Sequence, residues 1–181
     1  MIKLIEGARN SGKSYLLKWA NVSPYKFDFP FWYGKLKLNN KDRETHSFAL
    51  SKEIILHELN RDGLLADDIY VDRGILTVLV WGVLKDRITI DESIKQLWHF
   101  SKAGLFKDCE VIYIHGDNPR ERGSKDLWDD SDRVRELEIY EILLEELKMA
   151  EPKCKISRFR NGFSLLDAVV FRNEIILKQK R

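Results

Sequence analysis

Cysteine is scarce in this chain and net charge is almost absent, and each scarcity closes off a class of function. Cys109 and Cys154 are the only two cysteines among 181 residues. Neither belongs to a CxxC pair and neither has a histidine pair nearby, which argues against a metal site and against a disulfide framework. Each opens an apparent strand and reads as a small buried hydrophobe. A net charge of +2 gives no general attraction for nucleic acid, so any anion must be held by local placement of Lys and Arg. No apolar run approaches the length of a bilayer span: "GILTVLVWGVL" continues for only eleven residues. The opening "MIKLIEG" is a short apolar strand leading into a loop rather than a signal peptide, so a soluble cytoplasmic protein is expected. Repeats, low-complexity tracts and linkers are missing too, and one domain over 1–181 is expected.

What is present alternates between strand and helix signals. Ile2 to Glu6 reads as a buried strand and Gly12 to Ala20 as a helix; after Pro24, "YKFDF" is strand-like up to Pro30. "FWYGKLKLNNKDRETH" reads as a loop, and Ser47 to Arg61 as a helix stopped by Asp62-Gly63. "DDIYVDRG" is a short strand and turn. Ile75 to Lys85 and Asp91 to Leu105 follow as helices, the second with Asp91 near its N-cap. "CEVIYIHG" is the clearest buried strand. Beyond the polar "DNPRERGSKDLWDDSD", Ser131 or Asp132 caps a helix Arg133 to Met149. "KCKISRF" is a last strand and Ser164 to Lys178 a last helix. Strands joined by crossover helices predict a five-stranded parallel sheet with helices on both faces.

The sharpest motif is "GARNSGKS": Gly7, four residues, then Gly12, Lys13 and Ser14, set between a strand and a helix. Glycines at this spacing let backbone N–H groups fold around an anion, with the positive end of the following helix behind them. Lys13 then reaches β- and γ-phosphate oxygens and the Ser14 hydroxyl ligates Mg²⁺. The candidate nucleotide-binding set is Gly7, Arg9, Asn10, Ser11, Gly12, Lys13, Ser14 and Tyr15. The implied cofactors are ATP and Mg²⁺.

Three downstream features narrow the class. "YVDRG" places Asp72 and Arg73 at the carboxyl edge of the sheet, where ligands of open α/β folds bind. Asp72 is a candidate for the Mg²⁺ shell and Arg73 for a bidentate phosphate clamp; the bland alternative is a structural Asp-Arg pair at a turn. "NPRERGSKDLWDD" packs Arg120, Arg122 and Lys125 together, either as a loop that closes over transferring phosphates or as a solvated charged loop. "YKFDFPFWYGK" surrounds Asp28 with aromatics. These serve as core or as a base-stacking edge, and Asp28 could accept the proton of an attacking hydroxyl.

In motif order the chain resembles the thymidylate kinase-like group of P-loop nucleoside and nucleotide kinases. "IEGARNSGKS" is similar to that family's first strand and phosphate loop, "YVDRGILTVLVWG" to its Asp-Arg segment and helix, "RERGSKD" to its basic lid, and "RVRELEIYEILLEEL" to the helix after the lid. The resemblance implies a single-domain P-loop kinase fold with a lid at about 116–131. It implies phosphoryl transfer from Mg²⁺-ATP to a nucleoside monophosphate, with Lys13 and Ser14 on phosphate and metal, Arg73 on the acceptor phosphate, and Arg120 and Arg122 in the lid. Two departures stand out. Arg9 occupies a place where the family usually has an acid, and "FDFPFWYGK" lacks the family's Pro-Gly motif. The compact chain is also similar to nucleotide kinases carried by large bacteriophages.

The leading expectation is therefore a kinase acting on a pyrimidine (deoxy)nucleoside monophosphate, with Lys13, Asp28, Asp72, Arg73, Arg120 and Arg122 as its catalytic set. A nucleoside kinase is the alternative that Asp28 favours. A hydroxyl on polynucleotide is a third acceptor, which Lys35, Lys37, Lys41 and Arg43 would track. A P-loop ATPase switch is the reading from another class; the chain has no NKxD guanine motif to support it. The apolar helix Ile75–Leu84 with Trp81 serves either as core or as the face of a homodimer.

Overall fold

The computed structural model describes residues 1–26, 69–116 and 130–177. The expectations for Asp28 and its aromatic neighbours, for a helix at 47–61 and for the lid arginines Arg120 and Arg122 fall outside the described residues. Within them, the strands are β1 (Ile2–Glu6), β2 (Tyr25–Lys26), β3 (Ile69–Asp72), β4 (Cys109–Gly116) and β5 (Lys155–Asn161). The helices are α1 (Lys13–Trp19), α2 (Ile75–Leu84), α3 (Ile90–Lys102), α4 (Asp130–Ala150) and α5 (Leu165–Val170), followed by a π-helical turn, Phe171–Leu177.

All strand pairings are parallel, in the order β2-β3-β1-β4-β5. Four of these strands run four residues or more, whereas β2 is a two-residue edge. Among the described residues the sheet thus has four full strands, and of the fifth, β2, Tyr25 and Lys26 are paired in the ladder.

Alternation along the strands divides the core in two, since successive side chains of a strand point to opposite faces. Leu4, Val71, Val111 and Tyr113 pack with α2, α3 and α4, burying Ile75, Leu79, Leu97, Tyr140 and Leu144. Ile5, Tyr70, Ile112 and Ile114 pack on the other face with Leu16, Leu17, Ala168 and Phe171. Helices therefore cover both faces, as the crossover pattern predicts. Nine of the ten residues of α2 are buried, so this helix is core, with Trp81 half-buried. No helix among the described residues is long and apolar enough to cross a membrane.

Several local expectations change. The N-cap of α3 is Thr89, not Asp91: Thr89 accepts from the Glu92 N–H while Glu92 accepts from the Thr89 N–H, a reciprocal capping box. Ser131 and Asp132 lie inside α4, which already begins at Asp130. Cys154 is buried one residue before β5 instead of opening it. The last helix, expected to begin at Ser164, is instead capped by it and is α-helical only to Val170. It then widens, which lets Ile175 and Ile176 both turn inward with Phe171.

Candidate active site

β1 lies at the centre of the sheet, so the loop that follows it opens at the carboxyl edge where the chain crosses to both sides. Gly7 takes φ +143°, and a Cβ there would lie 2.1 Å from the Ile114 carbonyl oxygen. Gly12 takes φ +81°, and a Cβ would lie 2.0 Å from Asn161 Nδ2. Only glycine allows this combination of backbone and neighbour. Asn10 is also left-handed, at φ 58°. The loop is held from β5: Asn161 Nδ2 donates to the Ser11 carbonyl at 3.0 Å, and its Oδ1 accepts from the Phe163 N–H at 3.0 Å.

Lys13 folds back over the loop. Its Nζ donates to the carbonyls of Gly7 at 2.6 Å and Ala8 at 2.8 Å, and to Ser11 Oγ at 3.3 Å. The side chain is buried, and burial, reinforced by the nearby Arg73 charge, brings its pKa down to about 8. Ser14 lines a cavity of about 350 Å³ together with Asp72, Asn21 and Ser23. Asp72 Oδ1 is buried and has no hydrogen-bond partner among the described residues. A carboxylate oxygen left without a donor, sharing a cavity with a hydroxyl, is the hard-oxygen chemistry that suits Mg²⁺. Ser14 and Asp72 thus line one cavity. Tyr15 instead packs its ring against Trp19 and Phe163, with centroids 6.2 and 6.3 Å away.

Arg73 follows Asp72 in a left-handed turn, φ 68°, with its N–H donated to the Ile5 carbonyl at 3.0 Å. Its guanidinium carbon lies 5.6 Å from the centre of a Trp81 ring, and that of Arg9 lies 5.3 Å from it. Arg9 is fixed through its backbone as well. Its N–H is shared by both Glu136 carboxylate oxygens at 3.3 Å, and its carbonyl accepts from Arg133 at 2.7 Å.

Three important residues escaped the sequence reading. Glu6, the last residue of β1, is fully buried and accepts from the N–H groups of Gly74, Leu76 and Thr77 at 3.0, 3.1 and 3.1 Å and from Thr77 Oγ1 at 2.6 Å. It fixes the start of α2, and so the Asp72–Arg73 turn, to the strand that carries the loop. Burial outweighs these donors and pushes its carboxyl up to about 7. Thr77 Oγ1 also meets Tyr140 Oη at 2.7 Å, which extends the chain of contacts to α4. Glu136, 2% exposed, is raised by burial against the pull of the Arg9 N–H and of Lys13. Asn161 is the third. A larger hollow of about 870 Å³ opens beyond it, lined by His115, Arg133, Arg158, Arg160 and Gly162 among others.

No protein-family model matches the chain, and no curated protein matches it. Among solved structures it is similar to the deoxyadenosine kinase from M. mycoides with bound dCTP, at 14% sequence identity and a TM-score of 0.53. The likeness covers 99% of this chain and 98% of that one. The chain thus has the α/β fold of that kinase, a parallel sheet flanked by helices.

Proposed function

We propose that this chain transfers the γ-phosphoryl group of Mg²⁺-ATP to a nucleoside-type acceptor, with a pyrimidine nucleoside monophosphate as the leading acceptor. One observation carries the reading: Ser14, at the end of the Gly7–Ser14 loop, shares a cavity with Asp72, whose buried Oδ1 has no donor among the described residues. The fold it shares with a deoxyadenosine kinase supports the same class.

The loop N–H groups hold the donor's phosphates, and Lys13 leaves the Gly7 and Ala8 carbonyls to neutralise β- and γ-oxygens. Ser14 and Asp72 are the residues that would hold Mg²⁺, an ion that offsets charge on the polyphosphate. Arg73 holds the acceptor so that its oxygen approaches the γ-phosphorus; the acceptor O–P bond forms, the bond to the β–γ bridging oxygen breaks, and ADP departs. A monophosphate offers an oxygen already ionised at neutral pH, so positioning and charge neutralisation are enough. Segment 116–131, with Arg120 and Arg122, is proposed as the lid, and the hollow beyond Asn161 as the place of the donor's nucleoside.

The second reading, a nucleoside kinase, is favoured by what the similar structure is named for. There the acceptor oxygen carries a proton, and Asp28 is the proposed base. The test offers labelled ATP with matched nucleosides, monophosphates and oligonucleotides. Label is expected on monophosphates and is expected to vanish in Lys13→Ala. Label on nucleosides that is lost in Asp28→Asn selects the second reading. Hydrolysis that no acceptor stimulates overturns both.

A further inference from the structure

Arg9 is held more firmly than a loop residue needs to be. Its N–H is bound by Glu136 and its carbonyl by Arg133, both from α4, so its backbone is fixed on two sides. Its side chain leaves the loop toward α2, where Trp81 takes the guanidinium at 5.3 Å from a ring centre. Arg73 arrives at the same indole from the turn after β3, at 5.6 Å. Arg9, Arg73 and Trp81 are all half-buried, so the group keeps a face toward solvent.

Two permanent cations on one ring form an unusual arrangement. The negative face of an indole attracts each guanidinium, while the two charges repel each other. Glu136 lies among them and offsets one charge, since Arg9, Arg73 and Lys13 all act on its carboxyl. Each guanidinium is a planar fork of N–H donors. Such forks suit the oxygens of a phosphate monoester, which carries two negative charges, and gain nothing from a neutral hydroxyl.

We propose that Arg9 joins Arg73 in binding the phosphate of the acceptor, that Trp81 is the positioning residue holding both guanidiniums, and that the acceptor is therefore a nucleoside monophosphate. The inference rests on the kinase reading above and gives Arg9 a role on the acceptor side of the loop.

Equilibrium titration by calorimetry tests it without requiring turnover. Wild type, Arg9→Ala, Trp81→Phe and Trp81→Leu are titrated with pyrimidine nucleoside 5′-monophosphates and with the matching nucleosides. Arg9→Ala is expected to weaken monophosphate binding about 10- to 100-fold, the scale of a charge-assisted hydrogen-bonded contact, and to move nucleoside binding less than about twofold. Trp81→Phe keeps an aromatic face and stays near wild type. Trp81→Leu weakens monophosphate binding about 3- to 10-fold, and the effect vanishes when Arg9 and Arg73 are both alanine. Thermal melts of each variant separate these effects from loss of fold. Equal effects on monophosphate and nucleoside, or monophosphate binding unchanged in Arg9→Ala, overturn the proposal. Selective binding without phosphoryl transfer leaves the clamp standing and removes the kinase; transfer confined to nucleosides does the reverse.

Discussion

Binding of Mg²⁺-ATP should draw a proton onto Lys13, and the uptake should grow with pH. Burial first and the Arg73 charge second bring the Lys13 ammonium to about 8. At that value roughly a tenth of the chains lack the proton at pH 7, about half at pH 8 and about nine-tenths at pH 9. A polyphosphate beside Nζ favours the charged form and returns the group toward 10.5, its ordinary value. Uptake should therefore be about 0.1, 0.5 and 0.9 proton at those three pH values. The same shift acts on stability. Between pH 8 and 10.5 the unfolded chain keeps a proton that the folded one has lost, so the folded protein gains stability as pH rises, by about 3 kcal/mol over the whole window. Calorimetric titrations in buffers of different ionisation enthalpy measure the uptake directly. Glu6, at about 7, is the competing source, but it is almost fully ionised by pH 9 and its contribution falls where that of Lys13 rises. Uptake that is absent, or that shrinks between pH 8 and 9, would refute the reasoning.

Two further outcomes follow from single side chains. Asp72→Asn should raise the Mg²⁺ concentration for half-maximal transfer by on the order of tenfold or more, with unfolding free energy within about 0.5 kcal/mol of wild type because Oδ1 has no donor among the described residues to lose; an unchanged Mg²⁺ titration removes Asp72 from the metal. Tyr140→Phe deletes a buried hydroxyl paired with Thr77 at 2.7 Å and should cost about 1–2 kcal/mol in urea unfolding, so a midpoint equal to wild type would show that this contact contributes nothing.

The parts of this site that depend on neighbours in sequence were legible, and the parts that depend on distant pairing were not. Gly7, Gly12, Lys13 and Ser14 declare themselves because a backbone cradle needs fixed spacing. Asp72 and Arg73 could be placed at the sheet edge because "IYV" before them is a buried strand. Glu6 was hidden because its partners, at 74–77, lie 68 to 71 positions away. Glu136 was hidden for another reason: α4 carries Glu138, Glu141, Glu145 and Glu146 as well, and composition cannot say which one turns inward. Thr89 was legible in principle, since Thr89 and Glu92 have capping-box spacing, but Asp91 drew the N-cap assignment away. The π-helical turn carries no sequence signal beyond the adjacent Ile175 and Ile176.

The grip of Asn161 on Ser11 spans 150 positions of chain. A nascent chain emerges from its amino end, so the loop is synthesised 150 positions ahead of the residue that braces it. Until β5 has added to the edge of β4, the Ser11 carbonyl lacks its donor and Gly12 lacks the wall beside it. The loop should therefore reach its anion-ready shape only after β5 has joined the sheet, so a fragment that stops short of β5 should keep a looser loop.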